Sequence, residues 1–226
     1  MKIGIIIQAR MGSSRLPGKV LKLISEKPLL EHVIGRLVQL HHPATVVVAT
    51  SKLERDKSIS EWCTQNNALF FLGSEQDVLE RYYTCAIQYK FDHIVRLTAD
   101  NPFTDIVELN RLIDFHVNSN NDYSHSFGML PIGVGAEVFR MSALRKSFFE
   151  GNQEHHREHV NEYILENPEL FQIGILDNIP KKKHAATLRL TVDTEQDYDR
   201  ACLLAKMSSS QWLETEEAIK LCSQFV

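Results

Sequence analysis

Several absences narrow what this chain of 226 residues can be. It has only four cysteines, Cys63, Cys85, Cys202 and Cys222, and no C-x-x-C pair. Scattered in this way, they read as buried thiols in a reducing compartment. No apolar run approaches the length that crosses a bilayer. The N-terminal apolar run is too short for a signal-peptide core, and no cleavage site follows it. The expected location is therefore the cytoplasm, with no membrane partner. Basic residues are not in excess; the net charge is −4, which argues against nucleic acid as a partner. Neither G-x-x-x-x-G-K-[ST] nor G-x-G-x-x-G occurs, and there is no internal repeat or low-complexity segment.

What is present is ordinary globular material, 43% hydrophobic and 24% charged. The length suits a single large α/β domain over 1–226, with a substantial core. Against an acidic background, one stretch stands out: Gln8-Ala9-Arg10-Met11-Gly12-Ser13-Ser14-Arg15-Leu16-Pro17-Gly18-Lys19. It follows the apolar run Ile3–Ile7, which reads as a buried strand. Arg10, Arg15 and Lys19 fall in one short loop beside two hydroxyls, two glycines and a proline. Glycine lets backbone come close to a ligand, successive N–H groups form an anion nest, and arginine and lysine neutralise charge. Such a loop suits a polyphosphate; the plainer alternative is a surface turn with some basic residues.

The rest of the chain alternates strand and helix patterns. Expected strands cover Thr45–Thr50, Ala68–Leu72, His93–Thr98, Asp122–Phe127, Phe171–Leu176 and Leu188–Thr194. Helices are expected from Pro28 with an apolar stripe at Leu30, Val33, Ile34 and Leu37, and through Ile59, Trp62 and Cys63. Others are expected over Glu75–Tyr89 with its cap at Gly73-Ser74-Glu75, over Ile106–Asn118 capped by Asp105, and over Ser142–Phe149. Two more follow Thr194 and span Glu214–Phe225. The alternation predicts an α/β fold with a doubly wound, mainly parallel sheet. Asp100 and Asp193 each follow a strand, where such sheets bind ligands; Asp100, before Pro102, also suits a turn. The run Lys181–Lys183 reads as a solvated loop. Three histidines near Glu158 invite thoughts of zinc, but the spacing is not H-E-x-x-H.

The motif Q-A-R-M-G-S-S-R-L-P-G-K resembles the signature loop of cytidylyltransferases that activate sugar acids with CTP. These are the CMP-KDO and CMP-acylneuraminate synthetases, and the spore-coat polysaccharide branch is the nearest in likeness. Four further blocks carry the resemblance: G-S-E-Q-D-V-L-E-R-Y-Y, Ala99–Pro102, Arg157-Glu158-His159-Val160 and Leu188–Thr194; between the second and third of these, G-V-G-A-E-V-F stands where the family often has G-x-D-V-E-V-F. The resemblance implies a Rossmann-like nucleotidyltransferase fold of the GT-A-like kind. It implies nucleotide contacts from Gln8, Ala9, Arg10, Gly12, Ser13, Ser14, Arg15, Lys19, Ser74, Asp77 and Arg81. Catalytic roles fall to Arg10, Lys19 and Asp100, and metal ligation to Asp100 and Asp193. Acceptor contacts fall to Glu137, Arg157 and His159. For Ser74, Asp77 and Arg81, helix capping and surface pairing remain alternatives; Glu137 could equally be a strand residue paired with a cation. Gly135 stands where the family often has an acid, which leaves the acceptor open.

A basic loop plus two carboxylates fits a metal-bound triphosphate, with Mg2+ as the hard, oxygen-preferring cation. The implied reaction is transfer of CMP from CTP to a sugar acid or related small anionic acceptor, with loss of pyrophosphate. Backbone N–H groups of Gly12, Ser13 and Ser14 would hold the phosphate tail. The family also implies a homodimer, with residues 122–185 serving the acceptor or the dimer contact. A metal-dependent glycosyltransferase of the same layered fold, and a non-catalytic nucleotide-binding paralogue, are the rival readings.

Overall fold

The computed structural model describes residues 1–224. In chain order, β1 (Ile3–Gln8) is followed by a short hairpin of β2 (Leu23–Ile24) and β3 (Lys27–Pro28). Then come α1 (Leu29–Arg36), β4 (Ala44–Ser51), α2 (Lys57–Gln65), β5 (Phe70–Gly73) and α3 (Val78–Tyr89). The centre of the chain supplies β6 (His93–Thr98), α4 (Ile106–Asn118), β7 (Tyr123–His125), β8 (Glu137–Arg140) and α5 (Met141–Glu150). The remainder contributes α6 (Glu154–Glu158), α7 (Glu162–Glu166), β9 (Ile173–Ile175), α8 (Glu195–Met207) and α9 (Thr215–Cys222). Among the described residues, the main sheet has seven strands in the order β5-β4-β1-β6-β8-β7-β9. Strands β5, β4, β1 and β6 run parallel, β8 is antiparallel to both neighbours, and β7 and β9 are parallel.

The continuous apolar run of β1 reflects burial on both faces. Ile5 and Ile7 join a core with α1, α2, α4, α8 and α9, while Ile6 points the other way, into a core with α3 and α5. The sheet is thus doubly wound and mainly parallel. Parallel register pairs Gln8 with Ala49 on one side and with Thr98 on the other. The carboxyl ends of the three central strands therefore lie level, and the loops leaving them share one edge. No described helix is long and apolar enough to cross a membrane.

Several expected boundaries move. Pro28 ends β3 and caps α1 from outside instead of opening the helix. Asp77, not Ser74, caps α3: its side chain accepts from Glu80 N–H, so the helix starts at Val78. The block after Glu154 is broken at His159, whose extended backbone separates α6 from α7. The final helix stops at Cys222, and the expected end at Phe225 lies outside the described residues.

The expected strand Leu188–Thr194 forms no strand. Its alternation is real, since Leu190 and Val192 are buried. Its partner, however, is a loop: Ile132 and Leu188 to Leu190 exchange two backbone hydrogen bonds, and a single bridge joins Ile132 to Arg189. Pairing ends there because Gly133 turns away with φ of 90°. A β-carbon at Gly133 would sit 2.7 Å from Thr191, so the close approach requires glycine. The Lys181–Lys183 run is a 3-10 turn, and Lys183 is buried instead of solvated. Its ammonium lies 2.8 Å from both Asp105 and Glu108 at the start of α4. Burial opposes the lysine's charge, but the two carboxylates outweigh it and raise its pKa.

Candidate active site

The loop after β1 is folded onto itself before it meets anything else. Met11 carbonyl accepts from both Ser13 N–H and Gly18 N–H, each at 2.9 Å, and Gly18 adopts φ of 71° to close the turn. Ser13 hydroxyl accepts from Leu16 N–H at 3.3 Å. The loop is tied to the sheet through Asp56, which is fully buried and accepts from Met11 N–H at 2.7 Å and from Ser51 hydroxyl. Ser13 N–H is therefore spent inside the loop and cannot join an anion nest, contrary to expectation. The N–H groups of Gly12 and Ser14 make no hydrogen bond among the described residues.

Lys19 returns from the loop with a buried side chain. Its Nζ donates to Asp100 Oδ2 at 2.8 Å, to Asp193 Oδ1 at 2.9 Å and to Val192 carbonyl at 2.8 Å. The two aspartates meet because their backbones do: Val192 N–H donates to Asp100 carbonyl at 2.9 Å. Thr98 hydroxyl, two residues back on β6, donates to Asp100 Oδ1 at 2.6 Å. Arg15 and Arg189 approach Asp193 at 3.2 and 2.9 Å. Burial pushes the Asp193 pKa up, but Lys19, then Arg15 and Arg189, outweigh it and leave the carboxyl below its ordinary range.

Around this cluster lies a polar crevice of about 260 Å³. It is lined by Gln8, Arg10, Ser13, Ser14, Arg15 and Lys19 from β1 and its loop, by Arg96, Thr98 and Asp100 from β6 and the turn after it, and by Asp193, Glu158 and His159, with Val20 and Val78 the apolar contacts. Arg10 is exposed and makes no ion pair among the described residues. Two hard carboxylates on one ammonium, with exposed arginines beside them, can hold a cation and a polyanion together. Oxygen donors of this kind suit Mg2+.

A model of the cytidylyltransferase family matches residues 4–223. The chain is a member of the cytidylyltransferase family. It is 36% identical to the spore coat polysaccharide biosynthesis protein SpsF of Bacillus subtilis, over 86% of this chain and 82% of that protein. A solved cytidylyltransferase from Leptospira borgpetersenii superposes with a TM-score of 0.91 at 30% identity, covering 100% of this chain and 95% of the other. A CMP:2-keto-3-deoxy-manno-octonic acid synthetase complexed with CTP shares the fold, with a TM-score of 0.72 at 18% identity over 91% and 99% of the two chains.

In this cytidylyltransferase not every residue singled out from the sequence reaches the crevice. Ala9 is buried and contributes only backbone, its N–H donating to Ala49 carbonyl at 3.1 Å. Gly12 packs against Arg55, where a β-carbon would come within 3.0 Å. Ser74, Asp77 and Arg81 do not line the crevice. Ser74 hydroxyl accepts from Asp77 N–H at 3.0 Å, and buried Arg81 donates to Ser74 carbonyl, so this block braces the start of α3. Arg157, expected to face the acceptor, instead pairs with Asp77 at 3.4 Å and lies over the Phe148 ring. Glu137 is 1% exposed and points inward, bonded by Arg96 and by Tyr123 hydroxyl; it is the strand residue paired with a cation. His159 does line the crevice, and Glu158 lies beside it.

The histidines near α6 form their own arrangement away from the crevice. His155 and His156 each place Nε2 on one oxygen of Glu166, at 2.8 and 2.7 Å. Those donor atoms lie within 4.8 Å of one another, close enough for a metal. However, Gln153 N–H donates to His156 Nδ1 at 3.3 Å, so a neutral His156 carries its proton on Nε2, toward Glu166. The hydrogen bond from His156, joined by that from His155, pulls the Glu166 pKa below the carboxylate range.

Arg96, Thr98 and Asp56 were not singled out from the sequence. A signal existed for the first two. In Arg96-Leu97-Thr98-Ala99-Asp100, polar residues alternate with apolar ones, so a strand of period two puts all three polar side chains on one face. Asp56 had none, because it acts through a backbone N–H forty-five residues away.

Proposed function

We propose that this chain is a CTP-dependent cytidylyltransferase that moves CMP onto a sugar acid or related small anionic acceptor, releasing pyrophosphate, in the cytoplasmic synthesis of a surface polysaccharide. The observation that carries the reading is the meeting of Lys19 with Asp100 and Asp193 at the end of a basic loop. The named activities of its relatives point the same way. SpsF is a spore coat polysaccharide biosynthesis protein, and a relative from Shewanella loihica, 28% identical over 59% of this chain, is an 8-amino-3,8-dideoxy-manno-octulosonate cytidylyltransferase.

Each residue then has a part. Arg10 and Arg15 offset the charge of the β- and γ-phosphates. The unspent N–H of Ser14, a residue that lines the crevice, is left to donate to the same tail. Lys19 holds the two carboxylates in place and follows the charge that grows on the transferred group. An acceptor oxygen gives up its proton and bonds to the α-phosphorus while the bond to pyrophosphate breaks. Positioning and fixed charge supply the rate, so no protein nucleophile is needed. Asp100 and Asp193 are the residues that would hold Mg2+, which when bound stabilises charge on the phosphates. A homodimer is the expected assembly.

The test is to incubate the pure protein with each nucleoside triphosphate, Mg2+ and a panel of sugar acids and phosphorylated acceptors, and to measure pyrophosphate. Release that needs CTP and an acidic acceptor is expected. Consumption of a nucleotide sugar without pyrophosphate, or CTP binding with no turnover on any acceptor, would overturn it.

A further inference from the structure

We propose that Arg96 is the residue that recognises the acceptor's carboxylate, and that Glu137 is its positioning residue. This deepens the cytidylyltransferase reading of the same crevice and rests on it. Arg96 and Thr98 lie on one face of β6, Asp100 follows in the turn after the strand, and all three line the crevice. In the proposed reaction the acceptor must reach the α-phosphorus beside Asp100, so an anion anchor four residues back along the chain is at the right place.

The guanidinium is held from behind. Its Nη1 donates to Glu137, whose other oxygen accepts from Tyr123 hydroxyl at 2.6 Å, and Asn161 donates to that hydroxyl at 3.3 Å. The Tyr82 ring lies beneath it, 5.8 Å away. Its other donors are unspent, on a residue that lines the crevice. The Nε–H is buried with no partner, and Nη2 makes no hydrogen bond among the described residues. A fixed guanidinium with an unspent, adjacent pair of N–H groups matches a carboxylate.

A second orphan sits on the neighbouring strand. Gln8 pairs in register with Thr98, lines the same crevice, and has a buried Oε1 without a partner. A hydroxy acid satisfies both ends, its carboxylate on Arg96 and a hydroxyl donating to Gln8. Charge also favours the acceptor over the nucleotide tail. Glu137 already neutralises Arg96, so the pair offers directed hydrogen bonds with little net charge. A triphosphate is better served by Arg10 and Arg15, which have exposed guanidinium groups on the loop.

The experiment uses the intact chain loaded with an α,β-methylene analogue of CTP and Mg2+. Binding of 2-keto sugar acids and of their methyl esters is compared by calorimetry in wild type, Arg96→Gln, Arg96→Lys and Glu137→Gln. Wild type should prefer an acid over its ester. Arg96→Gln should weaken acid binding roughly ten- to hundredfold, as expected for a lost charge-assisted hydrogen bond, and erase the preference. Its affinity for the CTP analogue should stay within about twofold of wild type. In turnover, Glu137→Gln should raise KM for the acid more than it lowers kcat, a split that a purely structural role would not give. Arg96→Lys keeps the charge without the fork and should lose most of the preference, so it reads the same point if Arg96→Gln fails to fold.

An acid preference that survives both Arg96 substitutions would overturn the assignment, as would wild type binding every acid and its ester alike. Equal loss of CTP-analogue and acid affinity would also overturn it, placing Arg96 in the nucleotide subsite. Failure of wild type to bind the CTP analogue is a separate result that sinks the cytidylyltransferase reading, while acid binding to the free protein still reads Arg96.

Discussion

Replacing Lys19 by methionine keeps an unbranched side chain, shorter by the terminal nitrogen, and removes one charge. In the folded chain that ammonium, 9% exposed as a side chain, bonds two carboxylates and a carbonyl. A fully buried ion pair broken on one side costs about 3–5 kcal/mol. Here Asp100 and Asp193 are 27% and 20% exposed, so water recovers part of the loss. Asp193 also keeps Arg15 and Arg189, and Asp100 keeps Thr98. The expected destabilisation is therefore roughly 2–3 kcal/mol, read from urea unfolding midpoints at neutral pH. Lys19 is the main influence lowering the Asp193 pKa, so that carboxyl should titrate higher in the variant, read by carbon NMR of the side chain. On the proposed mechanism, loss of this fixed charge should lower turnover with CTP by about 10²–10³, or about 2.7–4 kcal/mol. Wild-type stability together with turnover within about threefold would refute the reasoning, because the cage would then be neither structural nor catalytic.

Three further outcomes follow from other parts of the molecule. Lys183→Met leaves buried Glu108 with Arg111 alone and Asp105 with Thr215 hydroxyl and Glu108 N–H, and should cost roughly 2–3 kcal/mol in urea melts while leaving KM for CTP unchanged. Asp56→Ala frees Met11 N–H and the loop it holds, and should cost about 1–3 kcal/mol and raise KM for CTP; an unchanged KM would show the loop is held elsewhere. His116 is fully buried against Ser124 and His93, and burial, then His93 and Arg140, lowers its pKa from 6.5 to about 3. The unfolded chain takes up this proton first, so stability should be lost as pH falls below 6.5, by roughly 2 kcal/mol at pH 5. Unfolding free energies at pH 7 and 5 check this, and His116→Gln should flatten the dependence.

The strand and helix pattern was legible because its cause is local. Ile3–Ile7 and the β-branched run of β4 are continuous since both sheet faces are covered, and Asp105 caps α4 through its own near neighbours. The misreadings share one cause. Leu188–Thr194 has a strand's alternation but a loop for a partner. Lys183 belongs to a charged run yet is drawn inward by two acids some seventy-five residues earlier. Ser74, Asp77 and Arg157 look like ligand contacts, but they satisfy one another at the start of α3.

From the order of residues alone came the basic loop, the two aspartates and the α/β class, for each depends on what stands beside it in the chain. Folding decided which of those charges face one another. Lys19 meets Asp100 and Asp193 only because parallel register levels the strand ends and Val192 bonds to Asp100 across ninety-two positions of sequence. Arg96 and Glu137 come together through an antiparallel pairing that no spacing announces. Such contacts arise from side chains seeking partners in a nearly dry interior, where an unpaired charge is costly wherever it falls in the chain.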